Sequence, residues 1–230
     1  MPSLDHKTIA ITGGFGTLGR AVGEVLQAAG ARVALIDHAG APAGPCGGAM
    51  VLPHVELGQV HDARLAMNRI VAHFGALDGL VNAAGGFKVE TIEKGSVDTW
   101  DRLYAINVRT ALIASQAALP HLVARGSGSI VYVGAHAAGQ AGLGMGAYAA
   151  SKSAVARLTE AMAEEFKDRG ITVNAVLPSI LDTPANRSEM PGADPARWVS
   201  PDALAQVIAF LLSDAAAPIN GALIPVKGRV

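Results

Sequence analysis

Short apolar runs alternate with amphipathic stretches along the whole chain. Lys7–Thr12 (KTIAIT) is apolar and β-rich and predicts a first strand. Arg20 to Ala29 has helical spacing and stops at Gly30, a common helix end. Ala31–Ile36 predicts a second buried strand that ends at Asp37, and Met50–Pro53 predicts a short third one. His38–Ala49 between them is rich in Gly, Pro and Ala and predicts a loop. Gln59–Phe74 is amphipathic through Val60, Leu65, Met67, Ile70, Val71 and Phe74. Asp78–Asn82 predicts a fourth strand, Ile130–Val133 a fifth, Ile171–Leu177 a sixth and Ala222–Val226 a seventh. A long helical stretch runs from Ser96 to about Arg125, another from Met145 to Arg169, and a last one from Asp202 to Ser213. Pro178–Pro201 predicts a long connection.

This order of strand and helix predicts an α/β fold: one doubly wound parallel sheet of about seven strands, covered by helices on both faces. No internal repeat or composition break divides the chain, so residues 1–230 are expected to form a single domain. In such a sheet a ligand sits at the C-terminal ends of the strands. Asn82, Gly134, Pro178 and the glycine turn after the first strand all fall there.

That turn is Gly13-Gly14-Phe15-Gly16-Thr17-Leu18-Gly19. Gly14, Gly16 and Gly19 fit the spacing of a dinucleotide-binding turn, in the strand–turn–helix–strand context that the motif requires. Glycines let the backbone approach a pyrophosphate, and the following helix offers it free N–H groups and a positive dipole end. The bland alternative is a turn that serves only strand-to-helix packing. Asp37, at the end of the second strand, suits hydrogen bonds from ribose hydroxyls and would repel a 2′-phosphate. With no Arg or Lys beside it, the expected cofactor is NAD(H) rather than its phosphorylated form. Glu56 and Leu57 are expected near the adenine.

Tyr148 and Lys152 lie four residues apart on a predicted helix and share one face. An ammonium beside a phenol stabilises its anion, so the Tyr148 pKa is expected to fall and make the phenol a usable proton donor and acceptor. Read alone, such a pair is more often a solvated helix face. Asn107 sits inside a helical stretch where Asn is mildly unfavourable, either as a satisfied structural residue or for a functional reason.

Composition narrows the partners. With 18 basic and 19 acidic residues the net charge is −1, and no basic patch argues for nucleic acid. No apolar run is long enough for a bilayer. The seven histidines lack ligand spacing, so no metal is expected. The single cysteine, Cys46, excludes an internal disulfide and fits a reducing compartment. The opening Met-Pro-Ser-Leu-Asp-His-Lys does not read as a signal peptide. The expectation is a cytoplasmic protein acting on a small molecule.

Taken together, Thr12-Gly13-(x5)-Gly19, Asp37, Asn82-Ala-Ala-Gly85, Asn107, Tyr148-x-x-x-Lys152 and Asn174-Ala-Val-x-Pro178 with Thr183 resemble the short-chain dehydrogenase/reductase family over nearly the whole chain. The resemblance implies that Tyr148 exchanges a proton with the substrate oxygen as hydride moves to or from nicotinamide. Lys152 would hold the nicotinamide ribose and lower the Tyr148 pKa, and Asn107 would hold a water linking Lys152 to solvent. Asn82, Ala83, Ala84 and Gly85 would line the adenosine side. Pro178, Leu181 and Thr183 would border the nicotinamide, the last two at its carboxamide. Members of the family are commonly tetramers, packed through helices that here span about 97–124 and 146–168; a dimer is the smaller alternative.

Two departures stand out. Thr17 occupies the place of the family's third turn glycine. Ala135, thirteen residues before Tyr148, occupies the place of its catalytic serine. The turn and the segment Val133–Ala138 resemble the dihydropteridine reductase branch, which manages without the serine. His136, Gln140 or a water would then meet the substrate beside Ala135 in its stead. Three readings stay open: a carbonyl/alcohol oxidoreductase, a reductase of quinonoid or imine-like substrates, and an NAD-binding scaffold or redox sensor with little turnover.

Overall fold

A computed structural model describes residues 3–44 and 46–230. Seven strands form one fully parallel sheet in the order β3-β2-β1-β4-β5-β6-β7. They are β1 (Thr8–Thr12), β2 (Arg32–Ile36), β3 (Met50–Leu52), β4 (Gly79–Asn82), β5 (Gly128–Val133), β6 (Ile171–Pro178) and β7 (Leu223–Val226). The helices are α1 (Thr17–Ala28), α2 (Val60–Phe74), α3 (Val97–Tyr104), α4 (Thr110–Arg125), α5 (Gly146–Phe166), α6 (Pro184–Glu189) and α7 (Pro201–Leu211).

The alternation of side chains along a strand divides the core into two layers. Ile9 and Ile11 of β1 point to one face, with Val33 and Leu35 of β2 and Val131 of β5, and pack under α1 and α7. Ala10, Ala34, Ile36, Ile130 and Tyr132 point to the other face, under α2, α4 and α5. Both faces of the central strands are therefore buried, which is why the strands read as continuous apolar runs.

The long stretch after Ser96 differs from a single helix. The Ser96 side chain caps α3 by accepting from the Asp98 N–H. Between α3 and α4 the chain makes one π-helical turn, Ala105–Arg109, with Asn107 at its centre. Such turns recur where a helix carries a functional group. The helix expected from Met145 starts at Gly146, continues as a 3₁₀ turn over Lys167–Arg169, and stops at Gly170 with φ +71°. The connection after β6 is not all loop: Thr183 caps the short α6, and a 3₁₀ turn spans Pro195–Arg197. The segment 38–49 has no helix among its described residues, as its composition predicts. No helix among the described residues is long and apolar enough to cross a membrane.

Candidate active site

The strand order reverses direction between β1 and β4, and a ligand crevice is expected at that point. A cavity of about 670 Å³ lies there. It is lined from the turn after β1 by Gly13, Phe15 and Gly16, from the end of β2 by Asp37, and from the next loop by Glu56 and Leu57. Ala83, Ala84 and Gly85 close it from the end of β4. These residues are far apart in sequence, and the parallel register brings them to one edge.

The turn is fixed by close packing. Gly13 has φ +65°, and a β-carbon there would lie 2.8 Å from the Ala84 backbone. The Ala84 N–H donates to the Thr12 hydroxyl at 3.2 Å, which ties the ends of β1 and β4 together. By contrast, Gly16 is exposed, and its side-chain position is open to the cavity except for the Gly13 carbonyl. Thr17 is exposed at the first position of α1, so a side chain fits where the family has a third glycine. Gly14, Leu18 and Gly19 belong to the same turn without lining the cavity.

Asp37 is nearly buried and holds the turn from the β2 side. Its Oδ2 accepts the Phe15 N–H and its Oδ1 the Ala39 N–H, both at 3.1 Å. His38 Nδ1 lies 3.1 Å from Oδ1. A carboxylate offers about four acceptor positions, so capacity remains for hydroxyl donors in the cavity. The described lining carries two carboxylates, Asp37 and Glu56, and no Arg or Lys. Asn82 turns the other way: its Nδ2 donates to the Ser115 hydroxyl at 3.1 Å inside the core, and its Oδ1 is buried without a partner.

Gly85 joins this cavity to the second cluster. A β-carbon on it would lie 2.5 Å from Asn107 Oδ1 and 3.5 Å from Lys152 Nζ. Asn107 clamps the next residue, Gly86, accepting from its N–H at 2.9 Å and donating to its carbonyl at 3.1 Å. The same Nδ2 also reaches the Ser151 hydroxyl at 3.0 Å. Both Nδ2 hydrogens of Asn107 are thus engaged in positioning, while Oδ1 keeps one acceptor position. Lys152 is buried and donates to the Val133 carbonyl at 2.8 Å.

The expected fall of the Tyr148 pKa is corrected. Burial pushes the Tyr148 phenol up to about 12 and the Lys152 ammonium down to about 8. Desolvation disfavours the charged form of each group. Tyr148 is therefore a protonated donor at neutral pH.

Ala135 is almost fully buried at the end of β5, where the family has its serine, while His136 and Gln140 are exposed. Pro178 ends β6, and Leu181 bridges to Val199 in the connection beyond it. The Thr183 hydroxyl accepts the Asn186 N–H at 3.2 Å, which leaves its own O–H free to donate. Arg187 is paired twice with Asp182, at 2.5 and 2.7 Å, and Trp198 is buried. Sequence reasoning missed Ile106, within the π turn, and Thr110, just after it, which both line the cavity. It also missed the ring of Phe87, which stands perpendicular to Tyr148 with centroids 4.7 Å apart. The helical spacing of Ile106 and Thr110 around Asn107 was the available signal for the first pair. Among the described residues no cluster suits a metal ion.

Comparison with known proteins agrees with this geometry. Residues 7–193 match the family model described as short chain dehydrogenase. The chain is 33% identical to 2-(S)-hydroxypropyl-CoM dehydrogenase 3 of Xanthobacter autotrophicus, over 98% of this chain and 96% of that protein. It is also 33% identical to meso-2,3-butanediol dehydrogenase of Serratia marcescens, over 97% of this chain and 94% of that one. A solved short-chain type dehydrogenase/reductase from Mycobacterium ulcerans superimposes with a TM-score of 0.89 at 26% identity, covering 99% of this chain and 90% of that one. The fold, the strand-end cavity and these matches agree: the chain belongs to the short-chain dehydrogenase family and is an oxidoreductase.

Proposed function

We propose that the protein is an NAD(H)-dependent oxidoreductase that interconverts a small carbonyl compound and its alcohol, with Tyr148 as the acid and base. The observation that carries this reading is the continuity at Gly85, which joins the acidic cavity at the glycine turn to Asn107 and Lys152. Nicotinamide, when bound, supplies or accepts the hydride. The chain supplies the rest. Gly13 to Gly19 cradle the pyrophosphate, and Asp37 accepts from the ribose hydroxyls. With Glu56 it repels a 2′-phosphate, since the described lining has no cation to meet one. Leu57, Ala83 and Ala84 border the adenosine side, while Pro178, Leu181 and the free Thr183 O–H face the nicotinamide. The similar proteins from Xanthobacter and Serratia are named as dehydrogenases of hydroxylated compounds, in keeping with a carbonyl/alcohol pair.

Tyr148 is protonated at neutral pH, so the reductive direction has its acid ready. Release of the Lys152 ammonium from the Val133 carbonyl, towards a ribose hydroxyl and the phenol, would lower the Tyr148 pKa in the complex. A water held by Asn107 would carry the proton outward. The protein is expected to act in the cytoplasm as a homo-oligomer, a tetramer or a dimer, packed through the stretch 97–124 and α5.

Ala135 favours a second reading. Without the serine hydroxyl, one donor to a developing alkoxide is missing, which costs on the order of 3 kcal/mol of transition-state stabilisation. A quinonoid or iminium acceptor builds less charge on oxygen and needs that donor less. An NAD-binding scaffold with little turnover is the reading left if neither chemistry runs. The test is oxidation of NADH and of NADPH by the purified protein against aldehydes, ketones, diketones and a quinonoid dihydropterin. Carbonyl turnover with NADH supports the proposal, with His136, Gln140 or a water replacing the serine. Pterin-selective turnover replaces it with the second reading, and silence with NADH still bound leaves the scaffold.

A further inference from the structure

We propose that Phe87 is the wall against which the substrate's carbon skeleton lies, and that it selects aromatic or conjugated carbonyl compounds over small aliphatic ones. The inference rests on Tyr148 being the reacting phenol and names the substrate class for that site.

Three observations carry it. First, Phe87 is in ring contact with Tyr148 yet remains 46% exposed. A large aromatic surface therefore stands open beside the phenol, a position in which a flat apolar ligand gains contact area and edge-to-face geometry. Secondly, the wall is fixed. Gly86 is clamped by Asn107 and packs flush against the Ile106 side chain, and a little further on the Glu90 N–H donates to the Gly144 carbonyl at 2.8 Å. The segment that carries Phe87 is thereby tied both to the π turn and to the loop that leads into α5. Val89, on that segment, and Leu143, on that loop, are 58% and 91% exposed and extend the apolar rim.

Thirdly, cations that would greet an acidic substrate are engaged elsewhere. Lys88 donates to Glu90 and Thr99, Arg187 is paired with Asp182, and Arg197 holds the Arg229 carbonyl. Ala135 adds a methyl group where a hydroxyl would favour a polar ligand. Beside Tyr148 the site thus offers apolar surface for the substrate's carbon skeleton.

The experiment compares phenylpropanedione with butanedione, which share the reacting diketone and differ by the phenyl ring, in the wild type, Phe87→Ala and Phe87→Trp. The wild type is expected to prefer the phenyl substrate by about tenfold or more in kcat/KM, the range that apolar pocket contacts achieve. Phe87→Ala should remove that preference by raising KM for the phenyl substrate more than for butanedione; Phe87→Trp should retain it. A wild type without preference overturns the proposal. So does an equal loss of kcat on both substrates, because Phe87 would then only orient Tyr148. Binding of benzamide and of acetamide to the protein–NADH complex, measured by calorimetry, reads the wall without turnover. Selective benzamide binding that is lost in Phe87→Ala, in a protein that reduces neither diketone, would count against the assigned reaction and uphold the wall. Equal binding of the two amides would overturn the wall.

Discussion

The two ends of the site are built differently. The cofactor end is made of strand termini and backbone: the turn after β1, the carboxylate at the end of β2 and the small residues after β4. Hydrogen bonds from Phe15 and Ala84 lock them to one another. The proposed substrate end draws on side chains outside the strands: Ala135, Phe87, His136, Gln140 and the connection 179–200. A sheet edge whose register is fixed can hold the same ligand throughout a family, whereas loops change the substrate at little cost to the fold. The serine position belongs to the second end, which is why Ala135 can stand there without disturbing β5.

Between the two ends lies Lys152, and the largest effect on stability is expected from it. Its ammonium is buried, and its pKa falls from 10.5 to about 8. Below pH 8 it is charged in the folded and the unfolded chain alike, and the full burial cost is present, at most about 3 kcal/mol. Between pH 8 and 10.5 the unfolded chain binds more protons, so stability of the cofactor-free protein should rise with pH. Tyr148 acts in the opposite sense above pH 10, where the unfolded phenol ionises first and stability falls towards pH 12. Lys152→Met should therefore raise the melting temperature of the free protein at pH 7, by about 5 °C. The gain should shrink as pH approaches 10, while NADH binding weakens. A lower melting temperature in the variant would mean that the bond to Val133 outweighs the burial.

At the cofactor end, Asp37→Ala should weaken NADH binding by about thirtyfold, the scale of a charge-assisted hydrogen bond. NADPH binding should change far less, so the preference narrows; titrations of both nucleotides decide it. An unchanged ratio would reduce Asp37 to a support for the Phe15 and Ala39 N–H groups.

At the substrate end the smallest change is expected. Ala135→Ser should raise kcat on ketones by about tenfold, part of what one oxyanion donor contributes. No gain on any ketone would move the site towards quinonoid or imine chemistry and sharpen the contrast between its ends.

The same contrast explains how much the sequence told. The strands, the glycine turn, Asp37 and the Tyr148–Lys152 spacing were legible because they depend on local pattern and on period. The π turn was not, since Asn107 inside a helix signals an irregularity without its geometry. The contact of Phe87 with Tyr148 and the pairing of Arg187 with Asp182 depend on how loops meet. The Tyr148 pKa was read with the wrong sign because spacing suggests the lysine's charge and says nothing of how deeply both groups are buried.

The most direct test of the central claim is NADH oxidation by the wild type and Tyr148→Phe on the best substrate, with NADH affinity measured alongside. General acid catalysis by the phenol predicts a loss of about a thousandfold in kcat, with NADH affinity unchanged. Equal rates in the two proteins would contradict the assignment of Tyr148, and with it the reaction proposed for the site.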